Sequence, residues 1–163
     1  RTQGLYNEAI SEYARLGPIV QKSPGSPYAK IIEIWPIYCY LKLYETYAKA
    51  SLKDARYKEP AGKIFNTAMQ TVKKLDERPP ARHTNEYSLY KLIRALLRVQ
   101  YARQYEQGGN ELKAAEFYRQ SVLEVTEGIV SARVGLDWLP ESLLMAGDAY
   151  EKLNLHEGIL QLA

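Results

Sequence analysis

The sequence predicts an all-α protein. Apolar residues recur at spacings of three and four almost throughout, and no run of alternating β-branched residues sits between hairpin turns. The turn-forming residues gather in a few short connectors, of which Lys22-Ser23-Pro24-Gly25-Ser26-Pro27 is the clearest.

The first helix is expected over Leu5 to Leu16, with Ala9, Ile10, Tyr13 and Leu16 on one side and Gly17-Pro18 as a stop or kink. A long helix follows over Tyr28 to Leu52, kinked or restarted at Pro36 because proline removes an amide donor. It is apolar nearly all round, which predicts neighbours on both flanks. Ser51 to Glu59 reads as a charged connector. Pro60 then opens a helix at its first position, with the core stripe Ala61, Ile64, Phe65, Ala68, Val72 and Leu75, and Arg78-Pro79-Pro80 ends it.

The fourth helix spans Thr84 to Gln107, with Leu89, Leu92, Ile93, Leu96 and Val99 inward. Gly108-Gly109 closes it, and Asn110 is the expected N-cap of the next helix, with Glu111 near that helix's positive end. That fifth helix runs to Ser131, its core stripe read as Leu112, Ala115, Tyr118, Val122, Val125 and Ile129. Asp137-Trp138-Leu139-Pro140 starts a sixth, carrying Leu143, Leu144, Gly147 and Tyr150 and stopping near Asn154. His156 to Ala163 reads as a seventh helix cut short. The prediction is therefore about seven helices in one domain over residues 1–163, and the helical pattern directly after Arg1 predicts a piece of a longer protein.

Composition narrows the function classes. The chain has 163 residues and a net charge of +3 from 22 basic and 19 acidic side chains, mostly interspersed, which is too weak for a dedicated nucleic-acid footprint. Ile31 to Ala50 is interrupted by Glu33, Lys42, Glu45 and Lys49, so no uncharged window of about 18 residues exists to span a membrane. Cys39 stands alone in Ile37-Tyr38-Cys39-Tyr40-Leu41 and reads as a buried small hydrophobe. Tyrosine is over-represented, 14 against 2 Phe and 2 Trp, which suits helices buried along one edge and wet along another.

An internal repeat is present. Ala9 with Tyr13, Ala61 with Phe65 and Ala68, and Ala114 with Tyr118 place a small residue four before an aromatic. Ala102 with Tyr105 and Gly147 with Tyr150 place one three before a tyrosine. This pattern resembles the tetratricopeptide repeat. Gly4-Leu5-Tyr6-Asn7-Glu8-Ala9-Ile10 with Tyr13 is similar to the second half of a unit. Leu143, Gly147, Tyr150 and Leu153 are similar to a first half, and Ala102, Tyr105, Gly109, Ala114 and Tyr118 to a whole unit. The resemblance implies a right-handed α-solenoid of antiparallel helix pairs. Departures are plain: Ala9, Ala61 and Ala114 lie 52 and 53 residues apart, against a family period of about 34, so the helices are longer than the family norm. Arg98 and Tyr101 stand where the family carries leucine or an aromatic. Helical repeats of about 40 to 47 residues, such as HEAT, are the alternative.

Little catalytic chemistry is legible. His83 and His156 are the only histidines, with no metal-ligand spacing, and phosphate-cradle and hydrolase-elbow motifs are missing. Glu124 and Glu127 read as a solvated face. No enzyme activity, metal or cofactor is expected. The informative constellation is on the fourth helix, where Lys91, Arg94 and Arg98 share a stripe with Tyr87, Tyr101 and Tyr105 and no acid intervenes between Glu86 and Glu106. In tetratricopeptide-like stacks the first helix of each pair lines the concave face, so this stripe is a candidate site for an acidic or C-terminal peptide. Otherwise the arginine stems cover tyrosines at a helix seam and their heads meet glutamates of the next helix. Tyr40, Tyr44 and Tyr47 form a second candidate stripe, groove-lining or packed between layers. Trp35 and Trp138, beside prolines, are expected to brace helix junctions.

The leading expectation is a non-catalytic interaction scaffold for a peptide or partner subunit, with self-association through the terminal helices. The alternative is a nucleic-acid or anionic-ligand binder using Lys91, Arg94 and Arg98, although the charge makes nucleic acid the weaker choice. An enzyme whose catalytic domain lies elsewhere in a longer chain is the third.

Overall fold

The computed structural model describes residues 2–23, 25–26, 29–132 and 138–162. Arg1, Pro24, Pro27, Tyr28, Asp137 and Ala163 lie outside them, as does the side chain of His156. Among the described residues there are six α-helices, a one-turn 3-10 helix and no strand. They are α1 (Thr2–Gln21), α2 (Ala29–Ser51), α3 (Lys58–Glu77), α4 (Asn85–Gln107), α5 (Glu111–Ser131) and α6 (Leu139–Leu162). The chain divides into two compact units, Arg1–Pro79 and Pro80–Ala163.

In the first unit α2 packs against both α1 and α3, as its all-round apolar surface requires. Ile34, Ile37, Leu41 and Leu43 are wholly buried. Cys39 is buried too, and burial pushes its thiol up, away from the reactive thiolate. On α3 the stripe Ala61, Phe65, Ala68, Val72 and Leu75 turns inward as expected. Two boundaries differ from the sequence reading. α1 runs through Gly17-Pro18 to Gln21, because proline's φ is already helical and Pro18 forfeits only one backbone bond close to the helix end. Asp54 caps the 3-10 turn Ala55–Tyr57 by accepting from the Arg56 amide, so α3 starts at Lys58. Pro60 is thus its third residue, where the missing N–H is still one of the four that no helix can satisfy.

The second unit is organised by a three-residue turn. Gly109 adopts φ +73, a left-handed conformation that costs glycine nothing. The amides of Gly109 and Asn110 then fold back onto the carbonyls of Glu106 and Tyr105 and close α4. The Asn110 side chain accepts from the Lys113 amide and opens α5, while Thr84 does the same for α4 through the Tyr87 amide. Each such cap contributes ~1 kcal/mol. α5 lies against α4 and α6, around a core of Val99, Ala102, Ala114, Ala115, Tyr118, Ala149 and Leu153.

On α5 the expected face turns inward at Ala115, Tyr118 and Val125, with Val122 packed against the core, and Ala114, Ser121 and Gly128 are buried beside them; only Leu112 departs, being exposed. On α6 the predicted stripe is turned outward. Leu143, Leu144 and Tyr150 are exposed and Gly147 meets nothing within 4 Å, whereas Trp138, Ser142, Met145, Ala149 and Leu153 are buried. Ser142, Met145, Ala149 and Leu153 recur at three and four and continue the stripe of Trp138, so the helix turns with the tryptophan anchored inward on Ser88. α6 is also one helix to Leu162, so the predicted stop near Asn154 and restart at His156 do not occur. Asparagine lowers helix propensity without breaking a helix, and six helices replace the expected seven.

The closest approach is at Gly128, where a Cβ would stand 2.9 Å from the Lys91 Cβ and 3.2 Å from the Ser88 carbonyl oxygen. Gly128→Ala is therefore expected to destabilise the protein by ~1–2 kcal/mol, overpacking outweighing the gain in helix propensity. Gly147→Ala, facing open space, is expected to stabilise it by up to ~1 kcal/mol. Urea unfolding of the two variants, with opposite signs, checks the assignment.

Candidate functional site

The seam between α4 and α5 gathers most of the predicted site residues. Two rows of small residues spaced by seven face each other across it: Ser88, Ala95 and Ala102 on α4, and Gly128, Ser121 and Ala114 on α5. Gly128 meets Ser88, the Ser121 hydroxyl donates to the Ala95 carbonyl at 3.1 Å, and Ala102 and Ala114 share the apolar core. Backbones this close bring the flanking long side chains into mutual reach.

Charges occupy one end of the seam. Lys91 Nζ lies 2.6 Å from Glu124 Oε2 and 2.8 Å from Glu127 Oε2, and Arg94 Nε donates to Glu124 Oε1 at 2.8 Å. Arg94 also donates to the Tyr90 hydroxyl at 2.9 Å, and the Tyr87 hydroxyl donates to Glu127 Oε1. The side chains of Lys91 and Glu124 are only 12% and 13% exposed. Glu124, read from the sequence as a solvated face, is thus drawn into the seam by two cations. Trp138 closes this end, its indole N–H donating to the Ser88 hydroxyl at 3.3 Å, which is the bracing role expected of it.

The electrostatics hold each group in its ordinary state. Burial alone would lower the Lys91 pKa, but the hydrogen bonds to Glu124 and Glu127 outweigh it and the ammonium is held above its usual value. Lys91, then Tyr87, holds the Glu127 carboxyl below the usual range. Burial and then the bond to Glu127 push Tyr87 up. All three shifts run away from neutral pH. A general acid or base needs the reverse, a pKa drawn toward the working pH.

Aromatic rings occupy the other end. Phe117 stacks with Tyr101 and with Tyr105, both at 5.4 Å between centroids and at interplanar angles of 30° and 11°. The Arg98 guanidinium lies over the same phenylalanine at 5.9 Å. Tyr118 is buried beneath. Its hydroxyl donates to Glu106 at 3.1 Å, and burial with that carboxylate pushes its pKa far up. Lys152 of α6 reaches Glu106 as well, at 3.3 Å.

Thus Tyr87, Lys91, Arg94, Arg98 and Tyr101 do share one seam, with Lys91 and Arg94 spent on internal carboxylates. The second predicted stripe lies in the first unit and is packed: Tyr44 is buried against Phe65 at 4.7 Å, Tyr47 meets Tyr57 at 5.8 Å, and Tyr40 is half-buried. Sequence reasoning missed Phe117, Gly128 and the role of Glu124 and Glu127. The signal was available, because acids three apart on α5 match cations three apart on α4. Among the described residues no group of three His, Cys, Asp or Glu stands close enough to hold a metal ion. Among the described residues no helix is long and apolar enough to cross a membrane. The chain matches no family model, no curated protein and no solved structure.

Glu124→Gln is expected to cost about 2 kcal/mol in urea unfolding, less than the ~3–5 kcal/mol of a fully orphaned buried charge, because Lys91 keeps Glu127. Glu127, with its folded pKa depressed, contributes stability that is complete above the unfolded value of about 4.3 and lost as pH falls through the folded one. Unfolding midpoints measured from pH 7 to 3 are expected to stay level to about pH 5 and then fall. Glu127→Gln should make that fall shallower.

Proposed function

We propose that this chain is a non-catalytic protein–protein interaction scaffold, a stretch of tetratricopeptide-like solenoid built of antiparallel helix pairs with extended helices. Its role is to bind a peptide or partner subunit on a helical surface. The observation that carries this reading is the outer face of the second unit. Leu112, Leu123 and Val130 on α5 and Leu143, Leu144 and Tyr150 on α6 are exposed, Leu144 by 69% and Val130 by 79%. Large apolar side chains held outward in such number mark an association surface. In a helical repeat this is the face on which a neighbouring unit packs. On α1, Leu5 and Ile19 are exposed as well, which supports self-association as one use of such faces.

The electrostatics favour contact over catalysis, since Lys91, Tyr87 and Glu127 of the α4–α5 seam are held in their resting charge states. Nucleic-acid binding through Lys91, Arg94 and Arg98 is disfavoured by the pairing of the first two with Glu124 and Glu127.

A photocrosslinking residue in place of Leu144 is expected to give a discrete adduct in cells, and the same residue at the exposed polar position Lys73 none. Identical adducts from both positions, or none from Leu144, would overturn the reading. Light scattering of the isolated chain should show a mass that rises with concentration and returns to the monomer in the double variant Leu144→Lys, Tyr150→Lys.

A further inference from the structure

The three cations of the α4 stripe are not equivalent. α5 supplies two carboxylates to the seam, Glu124 and Glu127, and both are taken by Lys91 and Arg94. Opposite Arg98 the next turns of α5 offer Ser121, whose hydroxyl is committed to the Ala95 carbonyl, and Phe117. Among the described residues Arg98 has no carboxylate partner. Its guanidinium lies 5.9 Å from the Phe117 ring centroid instead, a cation–π contact that uses none of its N–H donors. Beside it the rings of Tyr101, Phe117 and Tyr105 form one platform of stacked rings, and Tyr105, 36% exposed, carries it to the surface.

We propose that Arg98 and the Tyr101–Phe117–Tyr105 platform form the anchor point for an acidic peptide segment, with an aspartate or glutamate carboxylate on the Arg98 guanidinium and an adjoining aromatic side chain on the rings. This rests on the interaction-module reading and narrows it from the whole basic stripe to one residue and its aromatic bed. Charge complementarity selects the occupant. Lys91 and Arg94 are compensated by Glu124 and Glu127, whereas Arg98 faces no carboxylate among the described residues and lies beside rings that reach solvent at Tyr105. A planar guanidinium matches a carboxylate in two-pronged geometry. An anion bound elsewhere on the stripe would have to displace Glu124 or Glu127 from partly buried ion pairs.

The test uses fluorescein-labelled, terminally blocked octapeptides and fluorescence anisotropy. One probe is centred on glutamate-phenylalanine-glutamate, one replaces both acids by glutamine, and one replaces the phenylalanine by alanine. A ten-residue thymidine oligonucleotide is the nucleic-acid arm. The acidic aromatic probe is expected to bind about tenfold or more tightly than the glutamine probe, as charged hydrogen bonds require. Arg98→Gln should abolish that difference, Arg98→Lys should restore it in part, and Tyr105→Ala should remove the preference for phenylalanine. Arg98 and Tyr105 are partly exposed, so both variants should keep the wild-type urea midpoint, and backbone amide NMR shifts under titration should centre on the α4–α5 turn. Equal binding of acidic and amide probes, no effect of Arg98→Gln, or a stronger Arg98-dependent affinity for the oligonucleotide would overturn the proposal. If peptide shifts centre on Leu143 and Leu144, the anchor is wrong and the interaction reading stands. If neither peptide binding nor the Leu144 adduct is found, both fail.

Discussion

At the α4–α5 seam, Ser88, Ala95 and Ala102 meet Gly128, Ser121 and Ala114, and the fit leaves no room for a methyl group at its tightest point. Much of the second unit follows from this closeness. Two helices in such contact have their long side chains pressed outward along both margins of the contact line, where they must find partners within a few ångströms. Lys91 and Arg94 therefore reach Glu124 and Glu127, and Arg98, Tyr101 and Tyr105 reach Phe117. The glycine turn and the Asn110 cap set the register at one end, and Trp138 on Ser88 ties α6 to the other. Short turn, small-residue rows and charge ladder all demand the same alignment, and agreement of this kind selects one packing over its one-residue slips.

Tyrosine serves the seams because it has an apolar ring and a polar tip. Tyr118 fills the core and delivers its hydroxyl to Glu106, Tyr87 delivers its own to Glu127, and Tyr90 accepts from Arg94. Phenylalanine in these places would bury the same area and strand the carboxylate or guanidinium at the margin. The abundance of tyrosine thus follows from narrow helix contacts with charged borders. A thick core, where ring edges have no charged margin to reach, has less use for it.

The inward faces also set the outer surface of the second unit. α5 turns Ala114, Ser121 and Gly128 toward α4, so its Leu123 and Val130 remain outside, and the inward Met145, Ala149 and Leu153 of α6 leave Leu143 and Leu144 outside. Hydropathy alone places leucine in and serine out. When helix axes come close, steric fit outranks transfer energy, and the apolar residues left over become available for association.

The sequence by itself determined the all-α class, the cap at Asn110, the glycine turn between α4 and α5, and the inward stripes of α3 and α4, because these depend on local hydrogen bonding and on spacing within one helix. It also singled out the cations on which the candidate site is built. The tertiary structure decided which face of α6 turns inward, and that α1, α2 and α6 run on through Pro18, Pro36 and Asn154. It also decided which cation has no carboxylate opposite it. Those outcomes depend on the distance between backbones and on the partner opposite each side chain. Glu124 reads as solvated until Lys91 and Arg94 stand across from it, and Arg98 reads like its neighbours until Phe117 lies opposite where an acid would have been.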